Sequence, residues 1–355
     1  RKVSGRATAD PGAVRALAAA LDGATNPVLV AGPDIDASGA WELGVALAER
    51  QRLPVWASPA TGGNRLGFPE SHPNFRGVLP PAIGPVGQTL EGHDLILVVG
   101  SSVFPYYPHI PGPLLPDGAK LVAITSDPDE AVRAPMGDAI VADVKLTLAA
   151  LLEAVPESAR PVPEPNPGPG EIPPSDPLNP STVHTALAEV LPEDAIVVLE
   201  SPSSTLALRN QLRISRPGSY YFSAGGGLGF GLAAAVGVQL AQPSRPVVCV
   251  LGEGSAQYAI TAFWSAVAYD TPVTFLVLRN EEYAILKWFA EVEQVTGAPG
   301  LDLPKLDVAA VAEGYGVKAH RAGGRDEVRA ALATALASSR PELVEVQVTP
   351  GMSLF

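Results

Sequence analysis

Short, almost unbroken apolar runs recur along this chain, and they limit its fold more than any other feature. Val28-Leu29-Val30-Ala31 stops at Gly32, Leu95-Ile96-Leu97-Val98-Val99 stops at Gly100, and Leu121-Val122-Ala123-Ile124 stops before Ser126-Asp127. Further along come Ile196-Val197-Val198-Leu199, Val247-Val248-Cys249-Val250-Leu251, Val273 to Leu278 and Leu343-Val344-Glu345-Val346. Runs this short and this continuous predict strands covered on both faces, the habit of a parallel sheet lying between helices. Helical patterns fall between them: Pro11 to Leu21, a helix capped by Ser38 and running to Arg50, one capped by Ser181, Leu228 to Leu240, Ile260 to Tyr269, an aromatic-rich one from Tyr283, and Arg325 to Leu336. A short strand at Val55-Trp56 is followed by a Pro/Gly-rich stretch, Pro59 to Gly87, that reads as one long loop.

The segment PVPEPNPGPGEIPPSDPLNP, residues 161–180, divides the pattern in two. Proline at this density removes backbone donors and favours extended chain, so the stretch reads as a connector. The expected architecture is α/β, with two open doubly wound parallel-sheet domains. They are a central Rossmann-like domain over 1–155 and a ligand-binding domain over 181–355, joined by a linker over 156–180. No run of about 18 apolar residues predicts a membrane span, and no secretory signal is evident. The net charge of −13 and the scattered Lys and Arg argue against a nucleic-acid partner. The one cysteine, Cys249, lies inside a strand run, where a thiol packs rather than reacts, and a cytoplasmic location suits it.

Ligands of open parallel sheets bind beyond the carboxyl ends of the strands. Four loops of the second half qualify. Glu200-Ser201-Pro202-Ser203-Ser204-Thr205 offers hydroxyls and helix-start amides to an anion. Ala224-Gly225-Gly226-Gly227-Leu228-Gly229 allows close backbone approach and presents amides to phosphate. In Gly252-Glu253-Gly254-Ser255 a carboxylate stands between two glycines at a strand end, badly placed for packing and well placed for a cation. Arg279-Asn280-Glu281-Glu282 adds a neutral side-chain oxygen and a turn able to expose a carbonyl. Together with two diphosphate oxygens, these groups would form the oxygen cage that Mg²⁺ prefers.

Those loops, together with Ala134 to Asp143 and Pro217-Gly218-Ser219-Tyr220-Tyr221-Phe222, resemble the thiamine diphosphate (ThDP)-dependent decarboxylases, and within them the benzoylformate decarboxylase branch. The family's fingerprint is Gly-Asp-Gly followed, after a spacing like that seen here, by Asn-Asn. The resemblance implies ThDP and Mg²⁺ (or Ca²⁺) as cofactors, with Glu253, Asn280 and the Glu282 carbonyl as metal ligands. It implies Ser203, Gly254, Ser255 and Tyr283 near the diphosphate, the Gly226 carbonyl on the aminopyrimidine, and Leu228 as the wedge that keeps the cofactor bent. Ile285, Leu286 and Phe289 would line an apolar substrate pocket. The implied reaction is non-oxidative decarboxylation of an aromatic 2-oxo acid to an aldehyde, with carboligation as a possible accompaniment.

Three positions depart from the family pattern. The metal aspartate is Glu253, the first motif asparagine is Arg279, and the catalytic histidine falls at Tyr107, with His109 two residues on. Either could relay a proton, and His109 has the more suitable unperturbed pKa. The resemblance also implies partners: an N-terminal pyrimidine-binding domain or subunit that supplies the activating glutamate, and a homo-oligomer, dimer or tetramer. Without that domain the chain is expected to be inactive. The competing reading is a non-catalytic scaffold subunit or degenerate paralogue. A nucleotide site in the first domain is disfavoured, because Ala31-Gly32-Pro33-Asp34 lacks Gly-x-Gly-x-x-Gly.

Overall fold

The computed structural model describes residues 5–59, 64–104, 109–223 and 225–352. The chain divides into two compact units, Arg1–Pro167 and Gly168–Phe355. Each is built on a six-stranded sheet in which every pair of neighbouring strands is parallel. The α/β doubly wound class expected from the apolar runs is what the chain adopts.

The first sheet comprises β1 (Pro27–Ala31), β2 (Val55–Ala57), β3 (Phe75–Val78), β4 (Leu95–Val99), β5 (Lys120–Thr125) and β6 (Asp138–Val141). Their order is β3-β2-β1-β4-β5-β6. Alternate residues of the central strands feed different cores. Leu29, Leu95, Leu97 and Val99 join Leu17 and Leu21 of helix Pro11–Gly23, Leu47 of Trp41–Arg50 and Leu148 and Leu151 of Val144–Ala154. Val28, Val30, Ile96 and Val98 meet Ile83, Val86 and Leu90 on the other side. Both faces are covered, so the runs have no polar alternation.

Four expectations need correction in this region or at the start of the second unit. The stretch from Pro59 to Gly87 is not one loop: it contains β3 and helix Ile83–Thr89. Both are short and glycine-bearing, which hid their period. Ser38 does not cap the helix ending at Arg50, since that helix begins at Trp41 and Ser38 closes the preceding turn, Asp34–Ala37. The cap of helix Pro180–Ala188 is Asn179, whose side chain accepts from the Ser181 amide, with Pro180 pre-set at the first helical position. Helix Gly231–Ala241 starts later than Leu228, for a reason that belongs to the site below.

Gly32 is a packing glycine. The chain leaves β1 so close to the turn after β4 that a methyl group on Gly32 would lie 2.2 Å from the Gly100 carbonyl oxygen and 2.4 Å from Ser101 Cβ. The Gly32 amide meanwhile donates to Val99 O at 2.8 Å. Residues 156–167 carry no helix or strand, yet they are fastened to the rest of the first unit, while Leu178 pairs with Val348 in the second. Arg160 donates to the carbonyls of Leu21, Ala24 and Gln51, and Asn166 to that of Arg76.

The second sheet comprises β7 (Ile196–Glu200), β8 (Tyr220–Phe222), β9 (Val247–Gly252), β10 (Val273–Arg279), β11 (Lys318–Ala322) and β12 (Glu342–Gln347). Their order is β11-β12-β10-β9-β7-β8. Cys249 is fully buried in β9, and burial, then the charge of Glu200, pushes its thiol well above the ordinary range. A thiol in that state packs and does not attack. Among the described residues no helix is long and apolar enough to cross a membrane.

The backbone contact at Gly32 makes a direct prediction. Gly32→Ala should lower the stability of the first unit by about 1–3 kcal/mol, as overpacking does, seen as an earlier urea transition. An unchanged midpoint would mean that the turn after β4 yields freely.

Candidate active site

All the strand ends of the second sheet point the same way, and the chain reverses between β7 and β9, where the next strand in sequence lies on the far side of its neighbour. A cleft of about 540 Å³, counting its open mouth, lies at that edge. Its walls come from Ser201 to Ser204 after β7, Gly252 to Ser255 after β9, Asn280 and Glu282 to Ile285 after β10, and Val348 and Gly351 after β12. Leu228, from the glycine loop, closes one side. Three of the four loops singled out by sequence thus meet with a tip of the fourth.

Glu253 is the first residue of a short helix, Glu253–Gln257, and not part of an open loop as the sequence suggested. Gly252 is extended and turns the chain directly from strand to helix. The carboxylate is 2% exposed. One oxygen accepts the Glu281 amide at 2.6 Å, which ties the end of β9 to the loop after β10. Burial raises its pKa, against the lowering effect of nearby amides and of Arg279. Arg279 is itself engaged by Glu281 at 3.1 Å and lies 3.9 Å from Glu345, and no basic side chain pairs with Glu253 among the described residues.

A buried carboxylate in a cleft without its own counter-ion fits a cation. Asn280 Oδ1 accepts from the Glu282 amide at 3.2 Å and retains a second lone pair. The side chain of Glu282 is not available, since it is held by Lys287 and by the Gly351 amide at 2.6 Å. Only its carbonyl could serve. No group of three or more His, Cys, Asp or Glu suited to a metal occurs among the described residues. One carboxylate with neutral oxygens is the donor set of an ion that shares its coordination with a bound phosphate ester, as Mg²⁺ does.

The far wall is built for an oxyanion. A methyl on Gly254 would lie 2.8 Å from Leu303 Cδ1 and 3.4 Å from the Tyr283 ring, so a larger residue there would displace the Leu303 side chain. Tyr283 shares a 3.4 Å hydroxyl contact with Tyr258, the leading cause of its raised pKa. Behind the serine loop, Ser201 and Ser204 hydroxyls lie 2.9 Å apart, and Ser204 lies 3.3 Å from His184 Nε2. His184 is fully buried, its Nδ1 has no partner among the described residues, and burial drops its pKa to about 3. The imidazole is therefore neutral. An orphaned lone pair is cheaper than an orphaned N–H, so Nε2 carries the proton and donates to Ser204. Nothing local in the sequence signals the contact of His184 with the serine loop.

The glycine loop departs from expectation. The amides of Gly229, Phe230 and Gly231 do not face an anion, because the carboxylate of Glu200 accepts all three. Glu200 is the last residue of β7 and is 2% exposed, not a member of the anion-binding loop. Gly226 has φ +66° and is exposed, outside the cleft lining. Ile285 lines the cleft, whereas Leu286 is 46% exposed and Phe289 lies against Trp288, so neither reaches it. His109 is exposed in the first unit, and Tyr107 lies outside the described residues.

With this geometry in place, comparison with known proteins is decisive. Residues 203–346 match the model of the thiamine pyrophosphate enzyme C-terminal TPP binding domain, and 14–151 that of the central domain. A solved thiamine diphosphate-dependent 4-hydroxybenzoylformate decarboxylase of Rhodococcus jostii is 44% identical, with a TM-score of 0.95 over 99% of this chain and 67% of its own. The chain belongs to the thiamine pyrophosphate enzymes. Among other members, benzoylformate decarboxylase of Pseudomonas aeruginosa is 52% identical over 98% of this chain, which spans 65% of that relative. The crystal structure of benzoylformate decarboxylase from Polynucleobacter necessarius is 38% identical, with a TM-score of 0.95 over 100% of this chain and 67% of its own. The β7, β9 and β10 loops are thus those of a TPP-binding domain, and ThDP with a divalent ion is the cofactor of this fold.

The raised pKa of Glu253 makes a test. A carboxyl whose folded pKa lies above its unfolded value gives up stability as pH rises through the folded value. At neutral pH and without metal, Glu253→Gln should therefore melt no lower than the parent, and up to a few degrees higher. Adding Mg²⁺ with ThDP should raise the melting temperature of the parent but not of the variant. Equal shifts in both would remove Glu253 from the metal site.

Proposed function

We propose that this chain forms the diphosphate- and metal-binding part of a ThDP-dependent carboxy-lyase that decarboxylates an aromatic 2-oxo acid of the benzoylformate type. The observation that carries the reading is the cleft at the reversal point of the second sheet, in which one buried carboxylate sits among neutral oxygens in a chain 52% identical to a benzoylformate decarboxylase. Glu253, Asn280 and the carbonyl of Glu282 would hold the ion. Ser203, Gly254 and Ser255 would meet the diphosphate, with Tyr283 beside them. Gly226 and Leu228 would meet the rest of the cofactor.

When bound, ThDP supplies the carbanion chemistry that lets a 2-oxo acid lose carbon dioxide. The chain's own work is orientation, exclusion of water and placement of charge. Buried Glu253, which makes no ion pair among the described residues, would offset the ion's charge. Ser201 and Ser204, bonded to each other and backed by His184, would brace the turn that presents Ser203 to the diphosphate. Ile285 gives the cleft an apolar wall. Leu286 and Phe289, if they contact the aryl group, would do so where another subunit or domain completes the pocket.

The same reading includes an N-terminal pyrimidine-binding domain or subunit carrying the activating glutamate, assembly into a dimer or tetramer, and placement in the cytoplasm. His109 and Tyr107 are the proposed proton-relay candidates of the first unit. Carboligation would use the same site.

The test is calorimetric and kinetic. ThDP should bind only with Mg²⁺ or Ca²⁺ present. Benzoylformate should give benzaldehyde and carbon dioxide when the pyrimidine-binding domain is present, and about 10²-fold less or nothing without it. Metal-dependent binding with no turnover of any aryl 2-oxo acid by the completed protein would favour a scaffold subunit. Absence of ThDP binding would remove the reading altogether.

A further inference from the structure

Glu200 is a buried carboxylate with no place in the chemistry proposed above. It ends β7, is 2% exposed, and pairs with no basic side chain among the described residues. Burial raises its pKa, while three amide bonds act in the opposite direction. One oxygen accepts from Gly229 and, at 3.1 Å, from Phe230; the other accepts from Gly231 at 2.7 Å. These are three consecutive amides at the joint between the glycine loop and helix Gly231–Ala241.

The loop has little else to hold it. A methyl built on Gly225, Gly226 or Gly227 would meet nothing within 4 Å, and the Gly226 amide donates only locally, to Ser223 O at 3.0 Å. At the clamp the opposite is true. A methyl on Gly231 would lie 2.8 Å from both Cβ and an oxygen of Glu200, and Gly229 takes φ +103°. Leu228 stands immediately before the clamped amides and is the loop residue that lines the cleft. Charge-assisted bonds to a buried carboxylate are the strongest fixings available to a bare backbone.

We propose that Glu200 is a positioning residue that holds Leu228 against the organic part of a bound diphosphate ester, leaving the diphosphate end to other loops. This rests on the reading of the cleft as a ThDP site. It assigns the two ends of the ligand to separate devices: Glu253, Asn280 and the serine loop for the charged end, and the Glu200 clamp for the other.

The test uses Glu200→Gln, which keeps shape but turns one acceptor into a donor facing an amide. Hydrogen exchange at residues 225–231, measured without cofactor, should speed up by about tenfold or more. The dissociation constant for ThDP with Mg²⁺ should rise about tenfold, while that for inorganic diphosphate with Mg²⁺ should stay within about twofold. General loosening of the domain would weaken both ligands alike, and that outcome overturns the proposal, as does unchanged exchange in the loop. Should Glu200→Gln fail to fold, Gly231→Ala crowds the carboxylate from the other side and should give the same pattern. If the parent protein binds neither ligand, the cofactor reading fails, and the exchange measurement still decides whether the clamp holds the loop.

Discussion

Parallel pairing is the constraint on which the second unit depends. It sends the carboxyl end of every strand to one edge, so whatever polar residues follow the strands must share that edge. Covering both faces with helices leaves the strands almost wholly apolar, and the chain's polar chemistry is displaced into the turns. The cleft follows from this arrangement: β7, β9, β10 and β12 each deliver a turn to it, and the reversal between β7 and β9 opens the space between those turns.

Two carboxylates are buried at this edge to the same degree, yet their surroundings make them opposites. Glu200 is saturated by three amides, so its charge is consumed inside the protein and it serves as a fastening. Glu253 is acted on by the amides of Glu281, Asn280 and its own residue, but unlike Glu200 it lines the cleft. Burying a carboxylate costs free energy unless something compensates it. In Glu200 the compensation is wholly internal, and at Glu253 the proposed ion would add to the amides.

Much of this was legible beforehand. The fold class followed from apolar runs that lacked alternation, and the site loops followed from what stands after each run. The edge strand Asp138–Val141 is largely exposed and carried little hydrophobic signal. Phe75–Val78 was masked by glycine and by its place in a proline-rich stretch. The error at the glycine loop has a plainer cause. Free amides at a helix start look the same in sequence whether they await an anion or already hold a carboxylate 29 to 31 residues earlier in the chain. A partner brought in by tertiary structure leaves no local pattern. His184 hid in the same way: only the packing of Pro180–Ala188 against the serine turn gave its ring a hydroxyl neighbour.

That imidazole has a further consequence for how the cleft meets its ligand. With its pKa near 3, His184 does not change charge anywhere in the range in which a cell operates. It stays neutral throughout that range, so its contact with Ser204 does not switch with the medium. The serine turn is thereby insulated: acid–base traffic in the cleft leaves the packing behind it unaltered.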